Sequence, residues 1–111
     1  MTETSFAVRA AELLDQILEQ LEAVDTLEDL EMDLVDGVLT VTFDDGSKII
    51  INRQEATEQI WVASPLGPAH FNFDTAEDQW VNDRSGETLT GTLERAFSEK
   101  MREEVELEGG F

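Results

Sequence analysis

The chain has 111 residues, 41% of them hydrophobic, which is enough apolar material for the core of one ordinary domain and argues against a second. Twenty-six acids against seven bases give a formal charge of −19, a balance that repels phosphate backbones and anionic bilayers and favours cations and basic protein surfaces. The absence of cysteine removes disulfides, thiolate metal sites and cysteine nucleophiles and fits a reducing compartment, and no apolar run approaches the roughly 18 residues of a membrane span.

The charge is uneven. Up to Asp36 there are eleven acids and one base, Arg9, or −10; the remaining three quarters carry fifteen acids and six bases, or −9. A helix is predicted over residues 4–24, with Phe6, Ala10, Leu13, Ile17, Leu21 and Val24 on one side. Glu12, Asp15, Glu19 and Glu22 step by three, four and three, so at about 100° per residue they share the opposite side. After the acidic turn Asp25-Thr26 the period changes to two. Asp29, Glu31 and Asp33 alternate with Leu30, Met32 and Leu34, which predicts a strand over 29–35 with three acids on one face. If the helical and strand rows meet, they form one acidic ridge, with Asp25 in the turn between them.

Asp36-Gly37 predicts a tight hairpin into a strand at 38–43, and Asp44-Asp45-Gly46 turns the chain into another at 47–53. Leu39, Val41, Phe43, Ile49 and Ile51 fall on one face; Thr40, Thr42, Ile50 and Asn52 fall on the other. A fourth strand at 59–63 points Ile60 and Val62 inward and Gln59 and Trp61 outward. Ser64 to Pro68 is read as a break, followed by short strands at 70–73 and 79–81. A final helix over 88–104 carries the stripe Leu89, Leu93, Ala96, Phe97 and Met101, weakened by about 1 kcal/mol at Gly91. The order predicts an α+β fold: a two-layer sandwich with both helices on one face of a mainly antiparallel sheet.

Two groups of residues carry chemistry. Carboxylates about 6 Å apart repel by roughly 0.7 kcal/mol at the dielectric of water and about 3 kcal/mol at an effective 20, and a bound cation relieves several such repulsions together. All-oxygen ligation suits hard cations; an open row without a cage binds weakly and with little selectivity. The same row also reads as a merely solvated face. An outward tryptophan on a rigid sheet, flanked by Asn52 and Gln59 and with Arg53 and Gln54 at the strand end, reads either as an anchor for a partner or as a ring half-covered by a neighbouring loop. His70, the single histidine, reads as a partly exposed structural residue. A ferritin-like di-iron motif, an EF-hand loop, a P-loop, a nucleophile elbow and a dinucleotide fingerprint are all missing from the sequence.

The runs Gly37-Val38-Leu39-Thr40-Val41-Thr42-Phe43, Gly46-Ser47-Lys48-Ile49-Ile50-Ile51-Asn52-Arg53-Gln54-Glu55 and Gln59-Ile60-Trp61-Val62-Ala63 resemble the central sheet of frataxins, in particular the bacterial branch. The resemblance continues through His70-Phe71, Trp80 and Asp83-Arg84-Ser85-Gly86-Glu87-Thr88, with neutral Leu18 and Ala23 where many members carry further acids. It implies an accessory protein of iron-sulfur cluster assembly that binds Fe²⁺ and Fe³⁺ weakly at Glu12, Asp15, Glu19, Glu22, Asp25, Asp29, Glu31 and Asp33. It further implies docking on the cysteine desulfurase and scaffold complex through Asn52, Arg53, Gln54, Gln59 and Trp61, and a regulatory effect on the rate. Trp80 is expected to pack within the sheet region, and Val105 and Leu107 against the helices. The chain is expected to act as a cytoplasmic monomer, with iron-driven oligomers as a variant. Two alternatives stay open: a weak ferroxidase or iron store, and an acidic interaction module without a metal role.

Overall fold

Residues 5–107 are described by a computed structural model of the chain. Helix α1 spans Phe6–Glu22 and is followed by a 3₁₀ turn at Asp25–Leu27. Six strands come next: β1 Glu31–Val35, β2 Val38–Thr42, β3 Lys48–Gln54, β4 Gln59–Ser64, β5 Gly67–Asp74 and β6 Gln79–Asn82. Helix α2, Leu89–Met101, closes the order. Every strand pairs antiparallel with its sequence neighbours, giving the sheet order β1-β2-β3-β4-β5-β6. The α+β sandwich is therefore as the sequence predicts. Among the described residues no helix is long and apolar enough to cross a membrane.

Local chemistry sets the boundaries. Ser5 caps α1, its hydroxyl accepting from the Val8 N–H at 3.3 Å, and Thr88 caps α2 through the Gly91 N–H at 3.1 Å. A Cβ at Gly91 would sit 3.2 Å from that threonine oxygen, so the glycine that weakens the helix also leaves room for its cap. The hairpin residues Asp36 and Gly37 have φ of 51° and 77°, the paired positive values of a type I′ turn.

Three boundaries differ from the sequence reading. The acidic turn after α1 is helical enough to bury Leu27 completely, and β1 begins only at Glu31. Asp29 thus lies in the turn ahead of the strand rather than on its acidic face. Strand β5 starts at Gly67 and includes Pro68, opposite Ala63. The proline is tolerated because ladder bonds alternate along a strand: Asp83 donates to the His70 carbonyl, so Pro68, His70 and Asn72 turn their backbone groups toward β6, which ends before it reaches Pro68. Helix α2 stops at Met101, where Arg102 adopts a left-handed φ of 56°.

The inward rows of the sheet meet both helices in one apolar cluster. Leu39, Val41, Ile49, Ile51, Ile60 and Phe71 from the sheet, Leu14, Ile17 and Leu21 from α1 and Leu89, Leu93 and Phe97 from α2 are essentially without solvent contact. Trp80 is buried between Phe6 and Phe73, at ring distances of 6.2 and 5.3 Å, and Arg9 lies 4.2 Å over Phe73. These contacts pin the start of α1 over the β5-β6 side, while the rest of the helix packs on β1, β2 and β3. Val105 and Leu107 are buried in the same cluster. The Leu107 N–H donates to Glu94 Oε2 at 2.8 Å, and the Val105 N–H donates to Ser98 Oγ at 2.8 Å.

Candidate functional site

All eight carboxylates singled out from the sequence, Glu12, Asp15, Glu19, Glu22, Asp25, Asp29, Glu31 and Asp33, are exposed. The apolar stripe of α1 faces the sheet, so its acidic row has only solvent to face. Among the described residues none of the eight has an ion-pair partner, and no three acidic or histidine side chains converge tightly enough to hold a metal ion. What exists is an open field of negative charge. It offers hard oxygen donors to a cation that keeps much of its water, and a complementary surface to a basic protein.

The helical and strand acids lie in different layers. Glu31 and Asp33 stand opposite Thr42 and Thr40 of β2 and share the outer side of the sheet with them, whereas Glu12, Asp15, Glu19 and Glu22 lie on the helical layer. Asp25 and Asp29 sit in the connection between the two. The rows therefore meet around an edge rather than in a plane. One extension was invisible in the sequence: Thr26 donates to Glu103 Oε2 at 3.2 Å, bringing the acidic segment after α2 beside the 3₁₀ turn from 77 residues away.

The second group is built on β3 and β4. Asn52 pairs with Trp61 and Gln54 with Gln59, so these four residues share the outer face. Arg53 alternates to the other side of β3, where it lies against Gly37 and pairs with Glu55 at 3.5 Å. A Cβ at Gly37 would come within 2.6 Å of the guanidinium Nε. Strands pack about 4.8 Å apart, so Trp61 on β4 lies three strands, or roughly 14 Å, from the acids of β1 on the same face.

Trp61 is half-buried rather than free. The ring of His70 stacks on it at 4.2 Å with the planes 14° apart, because the two residues are direct partners across β4 and β5. The indole N–H donates to Gln59 Oε1 at 2.9 Å. Gln59 in turn donates through Nε2 to Asp83 Oδ2 at 3.0 Å and Asn72 Oδ1 at 3.3 Å. The tryptophan thus points outward, as the alternation predicts, and a paired strand rather than a loop covers one face of it. His70 is the partly exposed structural residue the sequence suggested, but its stacking on Trp61 and the support from Asn72 and Asp83 escaped sequence reasoning. Reading Pro65-Leu66 as a two-residue turn would have found His70 and Asn72, because that register sets His70 against Trp61; Asp83 needs the register of β5 on β6 as well.

Elsewhere the ionised groups are structural. Glu87 accepts from Arg95 Nη2 at 2.7 Å, Arg95 Nε at 3.2 Å and the Thr92 hydroxyl at 2.8 Å, and the Arg95 guanidinium holds its carboxyl below the usual range. Lys100, over the ring of Phe43 at 5.5 Å, pairs with Asp45 in the β2-β3 turn and lowers that carboxyl too.

A family model described as a frataxin-like domain matches residues 1–103. The chain is 52% identical over 107 residues to an iron-sulfur cluster assembly protein, CyaY, of Thioalkalivibrio sulfidiphilus, covering 96% of this chain and all of that one. Its fold superposes on a frataxin from Psychromonas ingrahamii with a TM-score of 0.80 at 29% identity, covering 96% of this chain and 97% of the other. It also superposes on a trimeric frataxin from Saccharomyces cerevisiae, complexed with ferrous iron, with a TM-score of 0.68 at 28% identity, covering 93% and 91%.

Proposed function

The chain belongs to the frataxin family of iron-sulfur cluster assembly proteins, and from that premise we propose that it binds ferrous and ferric iron weakly on its acidic ridge and modulates the cysteine desulfurase and scaffold complex. The observation that carries the reading is the set of eight exposed carboxylates with no cationic partner among the described residues. Self-repulsion in such a set is relieved by a cation or by a basic surface, so iron and partner draw on one electrostatic source. Iron is cargo here: an open oxygen surface selects little but exchanges it quickly, as delivery or sensing requires. The yeast relative solved with ferrous iron supports the choice of metal.

Docking is assigned to the outer face bearing Asn52, Gln54, Gln59 and Trp61, with Arg53 at its border. The indole, held by His70 and Gln59, is the aromatic anchor, and the acids of Glu31 and Asp33 on the same face supply orientation. The protein works as a cytoplasmic monomer, since a charge of −19 opposes self-association. The test is the anaerobic rate of cluster assembly on the scaffold, with desulfurase, iron and sulfur source fixed, comparing the protein with its Glu19→Lys/Glu22→Lys variant. A rate change by the parent that the variant fails to produce supports the reading, and its sign separates brake from accelerator. No effect of the parent protein defeats it.

A further inference from the structure

The free edge of the sheet has a particular chemistry. β1 pairs with β2 alone, and its hydrogen-bonding direction follows from the sheet beyond it. Arg53 donates to the Gly37 carbonyl and Phe43 to the Ser47 carbonyl, so the odd residues of β2 bond to β3. The even residues, Val38, Thr40 and Thr42, therefore bond to their partners Val35, Asp33 and Glu31. The type I′ turn at Asp36-Gly37, which is flanked by a bonded pair, gives the same assignment independently. The N–H and C=O groups of Met32 and Leu34 consequently point away from the sheet, and among the described residues no other segment bonds to them.

We propose that this edge takes up an extended segment of a partner protein by antiparallel strand addition, the segment alternating apolar and basic residues. Side chains fix the alternation. Met32 and Leu34 are half-buried at the rim of the core, so residues directly opposite them are apolar and complete its cover. Glu31 and Asp33 are exposed on the other face, so the intervening residues are basic. Val35, 54% exposed, continues that outer row with an apolar place at the turn end. A second copy of this chain does not fit, because pairing two such edges puts the same acids side by side, where like charges destabilise the pair. The acids and the five-residue length discourage self-pairing without covering the edge.

This inference rests on the reading of the acidic surface as a partner-binding one and names how the partner is held. The test uses a fluorescein-labelled nine-residue peptide alternating valine and lysine, a block peptide of the same composition, and two N-methylated versions of the alternating peptide. Because the four backbone bonds and the matching side chains come together only when valines lie opposite Met32 and Leu34 and lysines opposite Glu31 and Asp33, the alternating peptide binds at least about tenfold tighter than the block peptide. N-methylation of the valine amides removes binding and N-methylation of the lysine amides leaves it. Hydrogen exchange at Met32 and Leu34 slows on binding, while the amides of Glu31 and Asp33, already bonded to β2, change little. Binding that ignores peptide order and both methylations, and disappears with salt, overturns strand addition, as does no binding. The Glu19→Lys/Glu22→Lys assembly assay fails or succeeds separately, since both substitutions lie on α1 and leave β1 intact.

Discussion

The segment after α2 gives the sharpest stability test. In the double variant Val105→Ala/Leu107→Ala the backbone bonds to Ser98 and Glu94 remain available, so the change isolates apolar burial. Val105 and Leu107 are 2% and 6% exposed. Removing two buried carbons from one and three from the other costs about 0.8 kcal/mol each in transfer, or about 4 kcal/mol together. Collapse of the chain end into the space left behind keeps the added cavity contribution small, so the expected loss stays near the transfer value of about 4 kcal/mol. That is a large share of the roughly 5–15 kcal/mol typical of a domain and corresponds to about 16 °C in Tm. Urea unfolding reads it as a lower midpoint at unchanged slope. A loss below about 1 kcal/mol would refute the argument, because the segment would then occupy its place without holding the helices.

Replacing Gln59 by alanine removes the hydrogen bond that orders the indole of Trp61 and leaves only the His70 stack, and ordering one side chain costs about 0.5–1.5 kcal/mol, so dissociation from the desulfurase should quicken by roughly two- to tenfold with association unchanged in biolayer interferometry. Gly37→Ala forces a φ of +77° on a Cβ that meets Arg53, and should destabilise by about 1 kcal/mol or more in urea titration. Glu87, with its carboxyl held low by Arg95, contributes stability that is complete above the usual carboxylate range and is lost as pH falls through its folded value. The stability gap between the parent and Glu87→Gln should therefore be constant near neutrality and narrow below about pH 4. Neutralising Glu19 and Glu22 to glutamine should raise Tm by a few degrees at low salt and by almost nothing at 0.5 M salt, as scanning fluorimetry would show.

The periodicities were enough to place both helices, six strands and the inward rows, because burial on one face writes itself into the sequence as a period of 3.6 or 2. They failed where a local rule met a tertiary exception. Pro68 reads as a break, yet its missing N–H points past the end of β6. Asp29 fits the alternation but precedes the strand, since the buried Leu27 draws the connection into a 3₁₀ turn. The acids of the ridge were legible as residues, but not the edge around which they divide. The clamp on Trp61 depends on Asp83 and Asn72, which are distant in sequence and came into view only with the registers of β4 on β5 and of β5 on β6.

The strict neighbour order of the sheet has a consequence for how the molecule is made. Turns of two to five residues close every strand pair, so each pairing costs little loop entropy and can form soon after its own residues are available. The long closures are left to the ends: α1 must reach the far side at Trp80, and α2 must bring Lys100 back to Asp45. The cheaply closed hairpins should therefore be formed in the folding transition state ahead of the docking of the two terminal helices, and the folding rate should respond to changes at Phe6 and Phe97 less than to changes at Val41 and Ile51.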